Sequence, residues 1–201
     1  NLAAAYHAIG RYEQAIELHQ ETLNTLEQVL GPEHPSTLSS HSNLAAAYHA
    51  IGRYEQAIVL YQETLKIKEQ VLGPEHPDTL ITRNNLAEAY RVVGCYEEAI
   101  ELHQETLKIK EQVLGPEHPS TLQSRNNLAE TYRAVGRYEE VIGLHQETLR
   151  IREQVLGPEH PDTLNSRNNL AAAYRAVGRD AEAEELEGGA QSPPPEPPTA
   201  G

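Results

Sequence analysis

The stretch VLGPEHPDTLITRNNLAEAY at residues 71–90 decides the fold, because nearly the same twenty residues recur every 42 positions. Two consecutive full periods, 71–112 and 113–154, are identical at 32 of 42 positions. Self-similarity of this length is typical of a solenoid, in which each unit buries its apolar face only by stacking on its neighbours. The copies of the stretch lie at 29–48, 71–90, 113–132 and 155–174.

Each period predicts a helix, a short turn and a second helix. Pro77 suits the first turn of a helix, since the N–H that it lacks has no partner there. Apolar residues then recur at helical spacing until Gly94. A second helix is expected from about Tyr96 to Leu114, where Gly115-Pro116 ends it. The fold class is therefore all-α.

The charge of the chain excludes several classes of partner. Its 30 acidic and 16 basic residues give a formal charge of −14, so we expect no nucleic acid and no anionic membrane as a partner. No apolar run approaches the ~20 residues of a membrane span. The single cysteine, Cys95, excludes an internal disulfide and fits a reducing, cytoplasmic location. Because the chain begins at Asn1 inside a repeat, we expect it to be part of a longer protein.

Histidines invite a search for a metal site, but their spacing argues against one. One histidine recurs in equivalent loops, so stacked copies should lie roughly 10 Å apart, too far to share a zinc ion. A second position, on the second helix, is expected to pack in the core. No phosphate-binding loop, dinucleotide turn or nucleophile elbow is present, so we predict no enzyme activity, cofactor or metal. The loop histidines are His34, His76, His118 and His160, and the packing position holds His19, Tyr61, His103 and His145.

A 42-residue period fits either tetratricopeptide repeats with long helices or HEAT and armadillo repeats. Leu86-Ala87, Tyr90 and Ala99 match the tetratricopeptide spacing, and so do Leu44-Ala45, Tyr48 and Ala57. The pattern NNLA..Y...G.YEEA..L....L.I.E.VLG..HP also resembles the kinesin-light-chain type of tetratricopeptide repeat over residues 1–179. The resemblance implies a right-handed superhelical solenoid of antiparallel helix pairs that binds other proteins.

The predicted domain boundaries follow from the period. A tetratricopeptide solenoid should span residues 1–187, and a Pro- and Gly-rich disordered tail should follow at 188–201. Asp180 and Glu184 replace the Tyr and Ile of the other units, so the last unit is expected to be a degenerate cap. The predicted units are 1–35, 36–77, 78–119, 120–161 and 162–187.

The first helix of each unit carries polar residues on the side that, by the resemblance, lines a concave groove. An asparagine carboxamide both donates and accepts hydrogen bonds, so a column of asparagines could hold the backbone of an extended peptide. An Arg and His column beside it suggests an acidic ligand. The alternatives are asparagines that bridge neighbouring helices, and arginines that pair with a glutamate three residues earlier, as in Glu88–Arg91. The candidate groove residues are Asn43, Asn84, Asn85, Asn126, Asn127, Asn168, Asn169, His49, Arg91, Arg133 and Arg175, with Asn1 and His7 continuing two columns.

These patterns predict a non-catalytic scaffold that binds an extended, acidic peptide segment of a protein partner. Two other functions remain open at this point. One is that the units stack end to end, which makes the protein a self-associating structural module. Alternatively, the chain is a sensor array within a larger signalling protein, where similar runs of repeats occur.

Overall fold

The structure of the protein is a computed structural model, and it describes residues 11–188. In that range the chain forms nine α-helices and no strand. Connections of three to five residues make successive helices antiparallel neighbours. The predicted all-α fold of repeated helix pairs is confirmed. The helices are α1 (Tyr12–Leu30), α2 (Pro35–Ala50), α3 (Tyr54–Val71), α4 (Pro77–Val92), α5 (Tyr96–Leu114), α6 (Pro119–Ala134), α7 (Tyr138–Leu156), α8 (Pro161–Ala176) and α9 (Asp180–Gly188).

We call α2, α4, α6 and α8 the A helices, and α1, α3, α5, α7 and α9 the B helices. Every A helix begins with the proline that the sequence predicts at its first position. The loop histidine before that proline caps the helix. Nδ1 of His76 accepts a hydrogen bond from the backbone N–H of Asp78 at 3.2 Å, which caps the helix. The same bond is made by His34, His118 and His160.

The turn from an A helix to the next B helix depends on a glycine. Gly94 has φ of 84°, a left-handed conformation that side chains other than glycine rarely adopt. Its N–H donates to Arg91 O at 3.2 Å, and Cys95 N–H donates to Tyr90 O at 2.9 Å. These bonds close α4 and reverse the chain within three residues, which sets α5 antiparallel to α4.

The structure divides into two compact units, and the first extends to Val113. Within it α1 packs on α2, α2 on α3 and α3 on α4, while α2 also contacts α4 directly. Alanines at the helix crossings let the backbones approach closely, and Tyr61 is buried among them. One buried cluster contains Ala45, Ala57, Tyr61, Leu65, Leu86 and Ala89.

The second compact unit begins at Leu114 and contains α6 to α9. Each of these helices packs on the next in sequence. Val141 is buried, although it replaces the small alanine of the other B helices. Helix α9 is short and acidic and presents one buried residue, Ala183, in keeping with the predicted cap. The predicted disordered tail lies outside the described residues from 189 onward.

No helix among residues 11–188 is both long enough and apolar enough to cross a membrane.

Candidate functional site

In the first compact unit, the predicted groove residues lie on one side of α2 and α4. Asn43 is exposed, and Asn84 and Asn85 are half-buried. Ile81, one turn before them on α4, is 57% exposed. This side therefore combines carboxamides with an exposed apolar side chain. In each compact unit, we call the side of the A helices that carries the candidate groove residues the Asn face of that unit.

In the second unit the corresponding side of α6 and α8 is similar. Asn126 and Asn127 are half-buried, and Asn168 and Asn169 are exposed. Gln123 Nε2 donates a hydrogen bond to Asn127 Oδ1 at 2.9 Å, one turn away on α6. That contact is within one helix. Asn1 and His7, which would continue the columns, lie outside the described residues.

The arginines of the Asn face are already paired with carboxylates. Arg91 donates from Nε and NH2 to Glu88 at 2.8 and 2.6 Å. Arg133 pairs with Glu130 at 2.7 Å, and Arg175 makes two bonds to Glu187 of α9 at 2.8 and 2.7 Å. The alternative of pairing at a spacing of three residues is thus observed for Arg91 and Arg133. The pairs neutralise the charge on which the preference for an acidic ligand depended.

His49 takes the place of these arginines in α2. Its ring lies edge-on to Tyr54 with centroids 5.1 Å apart, and its Nε2 is buried without a hydrogen bond. The pKa of Glu88 lies below its ordinary value, chiefly because Arg91 donates a hydrogen bond to it, and burial opposes the shift. Positive charge on His103 and His49 favours the ionised carboxylate further. Glu88 is therefore the acidic residue close to both His49 and His103.

The histidine of the second helix is buried more deeply than the sequence suggests. His103 has no exposed surface, and neither ring nitrogen has a hydrogen-bond partner. Burial lowers its pKa to about 4, while the nearby Glu88 raises it slightly. Burial likewise lowers the pKa of His145 in the second unit. Both rings are therefore neutral packing groups near neutral pH, as predicted for this position.

A column of buried cations was not recognised from the sequence. Arg83 is only 2% exposed and is paired with Glu69 of α3 and with Glu105 of α5, the latter at 3.1 Å. In the second unit Arg167 is paired with Glu153 at 2.9 Å. The sequence does carry a signal, since His41, Arg83, Arg125 and Arg167 each follow a glutamate by 14 residues. The pairs His41–Glu27, Arg83–Glu69 and Arg167–Glu153 each join an A helix to the B helix before it within one compact unit.

No group of three or more His, Cys, Asp or Glu side chains within residues 11–188 could hold a metal ion. The histidine caps described above point their Nδ1 atoms at backbone N–H groups of their own helices.

Comparison with known proteins agrees with this architecture. The tetratricopeptide repeat family matches residues 1–70, 41–92, 78–154 and 126–187. A comparison with curated protein sequences found no match. Two crystal structures of a Podosopora anserina kinesin-light-chain-like protein with nearly identical tetratricopeptide-like repeats are each 36% identical to this chain. They cover 94% of it and 90% of their own chains, with TM-scores of 0.84 and 0.85.

A more distant structure, BtubC (BKLC) from P. vanneervenii, is 24% identical with a TM-score of 0.77. It covers 100% of this chain and 82% of its own, and at that identity it supports the fold alone. Repeats of this family generally mediate contacts between proteins. The chain belongs to the tetratricopeptide repeat family and resembles its kinesin-light-chain-like members.

Proposed function

We propose that the protein is a non-catalytic scaffold whose Asn face binds an extended segment of a partner protein. The observation that carries the proposal is the recurrence of exposed or half-buried asparagines on every described A helix. A carboxamide pairs with both the C=O and the N–H of a peptide, so one asparagine can hold a backbone whatever its side chains. In an extended ligand rising about 3.3 Å per residue, such contacts would recur every few residues.

The pairing of the arginines changes the expected ligand. Each guanidinium of the Asn face is held by a glutamate, so an acidic ligand would have to displace a carboxylate that is already bound. Solvent-exposed pairs of this kind contribute little to stability, about 0–1 kcal/mol. A carboxylate of the ligand can thus replace the glutamate on an arginine, but the exchange adds little to the free energy of binding. We therefore propose an extended peptide selected by its backbone rather than by acidic side chains.

The test is peptide selection from a display library by the whole chain, followed by calorimetry. Asn85→Ala together with Asn127→Ala should weaken binding of the selected peptide by about 1–3 kcal/mol, because hydrogen-bonding groups of the ligand lose their partners. The matched control is Asn24→Ala, which removes an exposed asparagine from the B helix α1. Melting curves of all variants separate lost binding from lost stability.

Two outcomes would refute the proposal. If the double variant binds as tightly as the parent protein at unchanged stability, the Asn face does not hold the peptide. If the double variant loses stability and the control does not, the asparagines bridge helices instead. If the Arg91→Gln and Arg133→Gln variants also bind the ligand more weakly, the ligand is recognised through acidic side chains as well.

A further inference from the structure

Arginine stacks on tyrosine at the turns of the second compact unit. The guanidinium carbon of Arg137 lies 4.5 Å from the centre of the Tyr132 ring, and that of Arg179 lies 4.5 Å from the centre of the Tyr174 ring. In both cases the arginine precedes a B helix and the tyrosine belongs to the A helix before it. A guanidinium over an aromatic face is attracted by the negative charge of the ring face.

The same arginines are held by carboxylates. Arg137 is paired with Glu140 at 2.6 Å, and Arg179 with Glu182, three residues further along the B helix in each case. A second carboxylate comes from the preceding B helix of the same unit, since Arg179 lies 3.7 Å from Glu139. The equivalent arginine of an earlier repeat, Arg53, is paired with Glu13 of α1 at 2.6 Å. At Arg179 the guanidinium is thus held by one ring and two carboxylates, and Arg137 and Arg53 each show part of the same arrangement.

One repeat keeps this site and lacks the arginine. Cys95 stands where Arg53, Arg137 and Arg179 stand in the other repeats. The backbone is unchanged, since Cys95 N–H donates to Tyr90 O at 2.9 Å and Arg137 N–H donates to Tyr132 O at 3.0 Å. The substitution therefore removes a guanidinium without altering the turn that positions it.

All three groups that would receive the guanidinium are present at the Cys95 turn. Tyr90 is the equivalent of Tyr132, Glu98 of Glu140, and Glu55 of Glu139. Glu98 and Glu55 are exposed, and in the part of the chain that the structure describes neither is paired with a cation. The hydroxyl of Tyr90 accepts a hydrogen bond from Gln62 Nε2, which holds the ring in place.

The space beside Tyr90 and Glu98 suits a long side chain, while Glu55 lies outside this cleft. Tyr90 and Glu98 line a cleft of about 340 Å³ between α3 and α5, with α4 behind it. Leu65, Leu86 and Leu102 supply apolar walls, which fit the methylene stem of an arginine. Glu69, Glu101, Glu105 and Lys66 also line the cleft. Glu69 and Glu105 are paired with Arg83, so Glu101 is the carboxylate that adds negative charge beside Glu98.

We propose that Tyr90, Glu98 and Glu55 bind the guanidinium of an arginine side chain presented by a partner protein. The partner's arginine takes the place that Arg137 and Arg179 occupy in their own repeats. Arginine is favoured over lysine because a planar guanidinium stacks on a ring and pairs with a carboxylate through two N–H groups. The site is separate from the Asn face, so it does not depend on the function proposed above.

The experiment uses the full chain labelled with ¹³C in its tyrosine rings, titrated with the probe acetyl-Gly-Arg-Gly-amide. The ring resonances of Tyr90 should shift with saturation, and those of Tyr132 and Tyr174 should not, because their rings are already covered. Cys95→Arg should supply the guanidinium from within the chain and lower the affinity of the probe at Tyr90 roughly tenfold or more. Cys95→Ser, which adds no cation, should leave binding unchanged.

The neighbouring repeat provides the reciprocal variant. Arg137→Cys should create a second site, so that the Tyr132 resonances respond to the same probe. Glu98→Gln should lower the affinity of the probe at Tyr90 several-fold, since the carboxylate that pairs with the guanidinium of the probe is lost. Acetyl-Gly-Lys-Gly-amide serves as the competing cation. The proposal is overturned if Tyr90 responds equally in the Cys95→Arg variant, if Tyr132 stays silent in Arg137→Cys, or if the lysine peptide binds as tightly as the arginine peptide.

Discussion

His103 should make this protein sensitive to acid, and removing it should relieve that sensitivity. The ring is fully buried in α5 with both nitrogens unpaired, so the folded state accepts a proton poorly. Its pKa is about 4 in the fold, against 6.5 for an ordinary histidine. The unfolded chain therefore binds a proton at a pH where the folded chain does not. Stability due to the neutral ring is present above pH 6.5 and is lost as the pH falls toward 4.

The magnitude follows from the two pKa values. At about 1.4 kcal/mol for each tenfold difference in proton affinity, the interval from 6.5 to about 4 amounts to about 3 kcal/mol. The charged neighbours of the ring are Glu88, Arg91 and Lys110. Glu88 stabilises the protonated ring, and the two cations oppose it, but burial outweighs them all. Most of the loss should therefore occur between pH 6.5 and 4.

The assay is urea unfolding at pH 7 and pH 4, followed by circular dichroism, for the parent chain and His103→Gln. Glutamine is similar in size and never ionises, so the variant should lose about 3 kcal/mol less than the parent between the two pH values. Glu88, whose own pKa is depressed, also loses stabilising pairing in acid, but it does so in both proteins and cancels in the comparison. Hydrogen exchange of α5 amides should localise the effect.

A matched double variant tests whether the result depends on how the replacement side chain packs rather than on its charge. In the preceding repeat Tyr61 occupies the position of His103, and Ala46 that of Glu88. His103→Tyr with Glu88→Ala rebuilds that pair and should also lack the acid-dependent loss. If the parent and His103→Gln lose stability equally between pH 7 and 4, the ring is not a buried neutral group and the reasoning fails.

Four further variants test the packing. Arg83→Met should change the free energy of unfolding by less than about 1 kcal/mol, because Glu69 and Glu105 are partly exposed and stay hydrated without the arginine. Glu69→Gln should destabilise by about 2–4 kcal/mol, since it leaves Arg83 buried with one carboxylate fewer. Chemical denaturation ranks the two variants, and the reverse order contradicts the assignment. His118→Ala should cost about 1 kcal/mol through the lost helix cap, measured by urea unfolding, and no loss would show that Nδ1 is not the cap. Tyr132→Ala should cost about 3–5 kcal/mol as a large-to-small change in the core, checked by thermal unfolding, and a loss below 1 kcal/mol would place the ring outside the core.

The local structure of this protein follows from its sequence to a large extent. Pro77 and Gly94 mark the ends of α4 because each allows or forbids particular backbone angles whatever surrounds it. The 42-residue period predicts paired helices because no single pair can bury its apolar stripe alone. Leu86 and Ala87 are buried as their spacing indicates. These features depend on residues within one or two turns of each other, so a single sequence suffices.

The partners of the long polar side chains required the tertiary structure. Periodicity places Arg83 and Arg91 on two sides of α4, but it does not say that the first meets glutamates from two other helices while the second bonds within its own helix. A flexible side chain of several bonds can reach carboxylates in different directions, and the choice depends on how closely neighbouring helices pack. The burial of His103 has the same origin.

The cysteine at position 95 shows most clearly what the sequence and the structure each reveal. In the sequence it is a single position at a turn where the other repeats have arginine. In the structure, Arg137 and Arg179 stack on tyrosines five residues earlier, so the missing arginine leaves a ring and two carboxylates without their cation. The sequence by itself determined the helices, their pairing and the repeat family, because those depend on short-range geometry and on the period. Only the tertiary structure decided which charges are satisfied within the chain, because that depends on distances between helices that the period does not specify.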